Sequence, residues 1–268
     1  MKMFCITINN NHCDKIKKLG YLPVGLGTDI TDPEFHRDNT QSNIAEKNPF
    51  YGEYTYHYWL WKNKKIELQD EWIGFCQYRK FWTKDLKINN DNSLKSLREN
   101  ILSEIPNELK NFESILGEEL FINQLRISKF LKKNFIKILK NPSLLFDKNK
   151  RNIKFHFDMM HGEGNLDIAV KLLPENDRDD FYNFVNSKLS FNPHNMFICK
   201  SPKILNEYYN SIFPWLEKCE SKFGFNLEGY GLKRIYGFLA ERYMSFWFKK
   251  YTKSTTLPII FKDISELN

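Results

Sequence analysis

The stretch Trp72-Ile73-Gly74-Phe75-Cys76-Gln77-Tyr78-Arg79-Lys80-Phe81-Trp82 joins a short apolar run to a polar, cationic one. The run 72–76 is typical of a buried strand, and similar runs occur at 3–8 and 21–26. A polar loop and a helix-like segment from Pro49 to Asn63 separate the second run from the third. The order strand, helix, strand predicts an α/β fold with a mostly parallel central sheet.

The C-terminal third of the chain has the periodicity of helices. Ser201 precedes Pro202 as a helix cap would, and apolar residues then recur at helical spacing. A second long helix is predicted at about 231–250, followed by a loosely attached tail, 251–268. With no repeat and no linker rich in Pro, Gly or Ser, the sequence predicts one domain over 1–268 with added C-terminal helices.

Composition narrows the class of protein. The chain has 268 residues, 41% of them hydrophobic and 27% charged, which is the globular range and argues against disorder. Five cysteines without a C-x-x-C pair favour a reduced, cytoplasmic protein. No apolar stretch approaches the length of a membrane span, and the N-terminus resembles a strand more than a secretion signal.

A net charge of +7 is partly concentrated in the segment 126–140, which has six basic residues and no acidic one among its apolar positions. One interpretation is an amphipathic helix on an anionic membrane surface. The other is an ordinary surface helix that packs its apolar side on the core. Nucleic acid would be a third partner, but no nucleic-acid-binding motif supports it.

Polar residues directly after a strand are the first candidates for a functional site. In an open α/β sheet, ligands bind outside the carboxyl ends of the strands, so residues 77–80 lie where a substrate would bind. A second polar cluster, 156–161, contains two histidines five residues apart, which is not the spacing of zinc ligands on one helix face.

Several chemistries lack their sequence motif. No phosphate-binding G-x-x-x-x-G-K-[ST] loop, G-x-G-x-x-G, G-x-S-x-G or H-E-x-x-H motif occurs. A metal-binding D-x-D at a strand end is also missing, since Asp29 and Asp32 have another spacing and Asp177-Arg178-Asp179 follows no strand. Cofactors therefore stay open: none is certain, and a divalent Mn or Mg ion is an alternative without a convincing ligand pair.

Residues 38–82 contain four distinctive stretches: Ser42-Asn43-Ile44-Ala45-Glu46-Lys47-Asn48, Tyr51-Gly52-Glu53-Tyr54-Thr55, Tyr58-Trp59-Leu60-Trp61-Lys62-Asn63 and Ile73-Gly74-Phe75-Cys76-Gln77-Tyr78-Arg79-Lys80-Phe81-Trp82. Two more follow in order, Asn195-Met196-Phe197-Ile198 and Arg234-Ile235-Tyr236-Gly237-Phe238-Leu239-Ala240-Glu241-Arg242. In these stretches the sequence resembles a bacterial glycosyltransferase-like family of capsular-polysaccharide and O-antigen gene clusters, formerly a domain of unknown function. Gln77 and Lys80 depart from the family's histidine and arginine.

The resemblance implies a GT-A-like, nucleotide-binding fold and transfer of a sugar from a nucleotide-sugar donor, such as a UDP-sugar. UDP-galactofuranose is one donor candidate among several. The implied acceptor is a polysaccharide or a lipid-linked glycan, and the implied location is the cytoplasm at the inner face of the membrane. The alternative is a non-catalytic nucleotide- or carbohydrate-binding protein of the same fold.

Donor binding is expected at the residues that combine the resemblance with a strand-end or loop position. Arginine holds phosphate oxygens bidentately, so Arg79 is expected to neutralise the diphosphate and Tyr78 to contact the donor. An ion pair of Arg79 with Glu53 or Glu241 is the structural alternative. The complete predicted donor-binding set is Asn43, Lys47, Asn48, Glu53, Gln77, Tyr78, Arg79 and Asn195.

An inverting transfer also needs a base for the acceptor hydroxyl. Asp158 and His161 are the first candidates because they are polar groups among Phe and Met residues, with Asp167 and Glu241 behind them. His161 has the alternative role of a helix cap, and Glu241 that of an ion-pair partner of Arg242. Among the aromatics, Tyr78 and Trp82 are the expected sugar platforms.

Overall fold

The computed structural model describes residues 1–65, 71–85, 92–126 and 147–268. They form two compact units. The first contains residues 1–118, 194–211 and 247–268, and the second contains residues 119–193 and 212–246. The predicted basic segment 126–140 lies, apart from Arg126, outside the described residues, and the single-domain expectation stays a prediction.

A mixed, mostly parallel sheet is the centre of the first unit. Its strands are β1 (Lys2–Thr7), β2 (Leu22–Gly25), β3 (His36–Arg37), β4 (Ile73–Gln77), β5 (Lys80–Trp82), β6 (Ser114–Gly117), β9 (Phe197–Cys199), β10 (Ser254–Leu257) and β11 (Ile259–Phe261). The order is β10-β6-β9-β4-β1-β2-β3, with β5 pairing both β4 and β11. Strands β1, β2, β3 and β4 are parallel to one another, whereas β9 is antiparallel to both of its neighbours. The predicted α/β fold is confirmed.

All three predicted strands are present, because each is an apolar run that both faces of the sheet can bury. The central strand β1 is buried from Met3 to Thr7, and β4 is buried from Ile73 to Cys76. The sheet and its neighbouring helix share one apolar core, which includes Ile16, Trp82 and Ile198. The five cysteines are free and buried, and they act there as small apolar side chains.

Helices of the first unit connect and cover these strands. They are α1 (Cys13–Lys18), α2 (Asn48–Tyr51), α3 (Tyr54–Lys62) and α4 (Leu94–Asn100). The sequence predicted one helix from Pro49 to Asn63, and this was wrong at Gly52. Gly52 has φ 58° and ψ −136°, a conformation outside the helical region that glycine adopts most easily, so the helix is interrupted there.

The second unit is largely helical. It contains β7 (Leu120–Phe121), β8 (Ser190–Phe191), α5 (Ile153–His161), α6 (Asn165–Lys171), α7 (Glu175–Ser187) and α9 (Tyr230–Lys233). Two long helices, α8 (Pro202–Phe223) and α10 (Ile235–Tyr251), contribute residues to both units. They confirm the predicted C-terminal helices, and the backbone N–H of Ile204 donates to the Ser201 hydroxyl as the capping pattern predicted.

The tail 251–268 is part of the first unit and is not loosely attached as its sequence suggested. Strand β10 pairs in parallel with β6, and β11 pairs antiparallel with β5. Ile264 is fully buried and Leu267 nearly so. Short apolar runs between polar residues conceal this role, because each contributes only two or three core side chains.

Candidate functional site

The carboxyl edge of the parallel strands is where the chain order of the sheet reverses. From β1 the chain proceeds to β2 and β3 on one side, and then returns to β4 on the other side of β1. Such a switch point leaves a crevice outside the carboxyl ends of the two strands. The segments that follow Thr7 and Gln77 therefore border one site.

Tyr78 and Arg79 form the two-residue turn between β4 and β5, whose flanking residues Gln77 and Lys80 are paired. The C-terminal segment fixes this turn through the main chain. The Arg79 carbonyl accepts a hydrogen bond from the Lys262 N–H at 3.1 Å, and the Tyr78 carbonyl accepts one from the Ile264 N–H at 3.2 Å. A turn held on both carbonyls presents its two side chains in a defined direction.

A polar pocket of about 490 Å³ lies beside this turn. We call it the His12 pocket, and its lining residues are Ile8, Asn9, Asn10, Asn11, His12, Asp29, Tyr78, Asp263 and Ser265. Its walls come from the ends of β1 and β4, the loop after β2 and the C-terminal segment. The pocket thus occupies the predicted crevice.

His12 is held firmly at the bottom of the pocket. Its Nδ1 lies 2.8 Å from the Thr7 hydroxyl, its Nε2 lies 2.9 Å from the Ser265 hydroxyl, and its ring is 5.0 Å from that of Tyr78. Burial lowers the pKa of His12, although the nearby charge of Asp263 opposes this effect. A neutral imidazole at physiological pH can both donate and accept a hydrogen bond.

Arg79 is exposed and directly follows Tyr78, the lining residue at the rim of the pocket. Its guanidinium carbon is 4.8 Å from the centre of the Tyr78 ring, a cation–π contact. Burial would raise the pKa of Asp263, but hydrogen bonds from Ser265 and the positive charge of Arg79 lower it overall. The rim therefore combines a cation with a carboxylate that stays ionised.

A second group of polar side chains lies at the same edge. We call it the Glu53 cluster: Glu53, Gln77, Lys80, His194 and Asn195. The Glu53 carboxylate accepts from Asn195 Nδ2 at 2.9 Å and, weakly, from Gln77 Nε2 at 3.5 Å. Gln77 also donates to the His194 carbonyl at 3.0 Å and accepts from Lys80 Nζ at 3.1 Å. Three predicted donor-binding residues, Glu53, Gln77 and Asn195, thus meet in one network.

Asp38 organises the loop that follows β3, and its side chain is completely buried. One carboxylate oxygen accepts from the Gly27 N–H at 2.9 Å and the other accepts from the Thr55 hydroxyl at 2.5 Å. Burial raises the pKa of Asp38, and these hydrogen bonds counteract only part of that effect. Asn48 joins this group through Nδ2, which donates to the Gly52 carbonyl at 3.1 Å.

The remaining two predicted donor residues lie in the loop before α2. Asn43 accepts from the Ala45 N–H at 3.1 Å and donates to the Gln41 carbonyl at 2.9 Å, so its contacts are those of a turn. Lys47 ends a short 3-10 helix and is half-buried. Their assignment to donor binding stays a prediction.

The predicted catalytic residues all belong to the second unit. Lys154 forms ion pairs with Asp158 at 2.8 Å and with Asp167 at 2.6 Å, and Asp158 also accepts from the Gly164 N–H at 3.2 Å. These contacts tie α5 to α6. The expected role of Asp158 as a base stays a prediction.

His161 and Glu241 also have defined partners there. His161 Nδ1 is 3.0 Å from the Gly231 carbonyl, and its ring stacks 3.9 Å from that of Phe238. The ring therefore does not cap α6. Glu241 forms an ion pair with the fully buried Arg242, which is the alternative role that the sequence suggested for this carboxylate. The catalytic assignment of both residues stays a prediction.

One predicted sugar platform is wrong. Trp82 is completely buried and its Nε1 donates to the Phe75 carbonyl at 2.9 Å, so it is a core residue. The sequence interpretation also missed His12, Asp38, His194 and Asp263. Asp38 follows β3, a strand of only two residues that is too short to give a sequence pattern, and the others are brought in from distant segments.

A divalent metal was tested against the residues present. Within the described ranges, the one close group of metal-ligating side chains is Cys13, Asp32 and Glu34. Burial raises the pKa of the Cys13 thiol, which disfavours the thiolate ligand, and Glu34 already pairs with Lys17 at 2.7 Å. Asp177 of the nominal D-x-D accepts from the Tyr243 hydroxyl at 2.6 Å. These groups do not fit a catalytic metal.

The fold and the pocket together define an open α/β protein with a polar pocket at the switch point of its sheet. A family model described as a domain of unknown function, DUF4422, matches residues 5–253, and the chain belongs to this family. Among solved structures, the chain is similar to the apo structure of the WbbM bifunctional glycosyltransferase, with a TM-score of 0.66 and 20% sequence identity. The likeness covers 97% of this chain and 45% of that one, so the chain spans less than half of WbbM. The chain has no match among the curated proteins compared with it.

Proposed function

We propose that the protein is a glycosyltransferase that moves a sugar from a nucleotide-sugar donor to a glycan acceptor. The observation that carries the proposal is the rim of the His12 pocket, where a clamped turn holds Arg79 at the switch point of the sheet. The shared fold with a bifunctional glycosyltransferase supports it. A UDP-sugar is the proposed donor, with UDP-galactofuranose as one candidate, and a polysaccharide or lipid-linked glycan in surface polysaccharide synthesis is the proposed acceptor.

The pocket offers suitable partners for each part of a nucleotide sugar. Hydrogen bonds to ribose and base can come from two kinds of group in the pocket. Carboxylates that accept are present on Asp29 and Asp263, and amides that accept or donate are present in the segment Asn9–Asn11. Both carboxylates would repel a diphosphate, so the phosphates are expected at the Arg79 side. The Tyr78 ring, already stacked with Arg79 and near His12, supplies an aromatic face.

During transfer, an acceptor hydroxyl oxygen attacks the anomeric carbon and the bond from that carbon to the diphosphate oxygen breaks. The electron pair remains on the phosphate, where the guanidinium of Arg79 stabilises the developing charge through two parallel hydrogen bonds. The hydroxyl proton passes to a base. Asp158, His161 and Glu241 remain the proposed candidates for that base, because no described contact selects one of them.

We also propose peripheral contact with an anionic membrane at the basic segment 126–140, on the strength of its charge alone. None of the helices in the described ranges combines the length and apolar content needed to cross a bilayer. Sedimentation with vesicles that contain anionic lipid, repeated at increasing salt, tests this contact.

Thermal unfolding with a panel of nucleotides and nucleotide sugars, with manganese or with EDTA, tests the proposed function. We expect stabilisation by uridine diphosphate compounds and release of UDP from at least one sugar donor. Stabilisation without turnover of any donor, even with glycan acceptors added, would favour the non-catalytic binding protein. If no nucleotide raises the unfolding temperature, the proposal is wrong.

A further inference from the structure

Phe261 is an exposed aromatic residue at the carboxyl edge. It ends strand β11, where it pairs with Lys80, and its side chain is 63% exposed. Lys80 Nζ lies 5.9 Å from the centre of the Phe261 ring, and the His194 ring meets it edge-on at 5.4 Å. The exposed ring therefore has an imidazole and an ammonium beside it, and both groups can form hydrogen bonds with a ligand that rests on the ring.

The backbone that places His194 is unusual. His194 and Asn195 have φ angles of 83° and 52°, in the left-handed region that residues other than glycine seldom adopt. The Glu53 cluster maintains this corner, because Asn195 Nδ2 donates to Glu53 and Gln77 donates to the His194 carbonyl. Strained backbone that a polar network holds in place is concentrated at functional sites.

His194 is neutral at physiological pH. Burial lowers its pKa to about 4, and the positive charge of Lys80 adds to the effect. A neutral imidazole can donate from one nitrogen and accept at the other, whereas the Lys80 ammonium only donates. Beside the Phe261 ring, these two groups provide both kinds of hydrogen bond.

We propose that Phe261, His194 and Lys80 form a subsite for one sugar ring of the glycan acceptor. A pyranose has an apolar face of C–H groups and a rim of hydroxyls, which match an exposed aromatic ring with polar groups around it. A neutral sugar fits better than a phosphate, because Lys80 already donates to Gln77, within the network that contains the Glu53 carboxylate. This inference rests on the proposed function only in calling the sugar an acceptor.

The subsite adjoins the proposed donor position through the chain itself. Lys80 follows Arg79 directly, so their Cα atoms are about 3.8 Å apart. The turn that presents Arg79 to a diphosphate therefore also carries Lys80 of the subsite. An acceptor bound on Phe261 would lie next to the turn at which the leaving group is stabilised.

Phe261→Ala is a clean test because the ring is largely exposed, so its removal is expected to leave the folded state intact. The matched control is Phe121→Ala, another exposed phenylalanine on a short strand, in the second unit. Saturation-transfer NMR would compare the wild-type protein and both variants. The probes are methyl galactopyranosides, methyl glucopyranosides and methyl N-acetylglucosaminides, each with and without UDP.

We expect at least one glycoside to bind the wild-type protein and Phe121→Ala equally, and to bind Phe261→Ala about tenfold more weakly. His194→Gln, which keeps a hydrogen-bonding side chain, is expected to retain more binding than His194→Ala. Equal glycoside binding by Phe261→Ala and wild type would overturn the subsite, as would no saturation transfer to any probe. If glycoside binding depends on Phe261 but no nucleotide binds, the sugar site stands and the transferase proposal fails.

Discussion

Among single residues, Arg79 carries most of the proposed function. The side chain is exposed and projects from a turn whose carbonyls are both fixed by the C-terminal segment. A cation in this position at a switch point is suited to a diphosphate, because a guanidinium matches two phosphate oxygens at once. The ring of Tyr78 stabilises this cation through a cation–π contact.

Arg79→Ala is expected to lower kcat/KM for the nucleotide-sugar donor by about 100-fold, the typical loss when one charge-stabilising donor is removed. The kcat/KM of Arg79→Lys should lie between those of the wild type and Arg79→Ala, since an ammonium keeps the charge without the bidentate geometry. Steady-state UDP release measures both. The matched control, Arg98→Ala on α4, removes an exposed arginine elsewhere in the same unit and should leave the rate unchanged. Full activity of a folded Arg79→Ala protein would contradict this role.

His57 links pH to stability. It is completely buried on α3, its Nδ1 lies 2.6 Å from the Tyr209 hydroxyl, and burial lowers its pKa from 6.5 to about 3. As the pH falls below 6.5, the unfolded chain takes up a proton on this group and the folded chain does not. The unfolded state then binds more protons, so stability falls between pH 6.5 and about 3.

His57→Gln should reduce the slope of the free energy of unfolding against pH by about 1.4 kcal/mol per pH unit over that interval. Urea unfolding at several pH values measures it. Tyr209→Phe is the control, because it removes the hydrogen bond but keeps the buried imidazole. It should lower stability and leave the slope in place. An unchanged slope in His57→Gln would show that His57 is not the group responsible.

At the scale of elements, the last strand and the segment behind it decide the geometry of the site. Strand β11 extends the sheet at β5, and the residues that follow it form one wall of the His12 pocket. Lys15 reinforces the wall from α1, since Nζ donates to the carbonyls of Ile264 at 2.9 Å and Leu267 at 2.6 Å. The tail therefore contributes to both the core and the site.

Ile264→Ala should lower the free energy of unfolding by about 2–5 kcal/mol, because it leaves a cavity where a fully buried side chain packed. It should also weaken nucleotide binding, since the lost packing loosens the segment whose N–H at residue 264 donates to the carbonyl of Tyr78. Ile259→Ala on β11 is the control and should cost less, because Ile259 is only half-buried. Equal losses of unfolding free energy in the two variants would mean that Ile264 contributes no more to the core than the half-buried Ile259.

The strands and long helices could be predicted from sequence because local patterns specify them. The apolar runs of β1, β2 and β4 and the helical periodicity after Ser201 are such patterns. The break at Gly52 could not be predicted, since the residues around it favour a helix and the contacts of Asn48 and Asp38 decide otherwise. Gln77, Tyr78 and Arg79, in contrast, could be predicted from their position at the end of a strand.

The rest of the candidate site depends on contacts between distant segments. His12 forms a hydrogen bond with Ser265, which is 253 residues away in the sequence. His194 contacts the Phe261 ring only because β11 lies beside β5. No local pattern contains such information. A pocket wall built from a C-terminal segment is therefore recognised only once the sheet order is known.

For the molecule as a whole, a family, a fold and one pocket all bear on the proposed function. The chain belongs to the DUF4422 family, and 97% of it shares a fold with 45% of a bifunctional glycosyltransferase. The second unit contains the predicted bases Asp158, His161 and Glu241, each held by described contacts. The proposed donor site is the His12 pocket of the first unit.

A crystal structure of the protein with UDP would locate the donor site. We expect the nucleotide in the His12 pocket, with its base and ribose among Asn9–Asn11, Asp29 and Tyr78. Its phosphates should lie within hydrogen-bond distance of the Arg79 guanidinium. Nucleotide bound away from the carboxyl edge of the sheet, or with its phosphates out of reach of Arg79, would show that the His12 pocket is not the donor site.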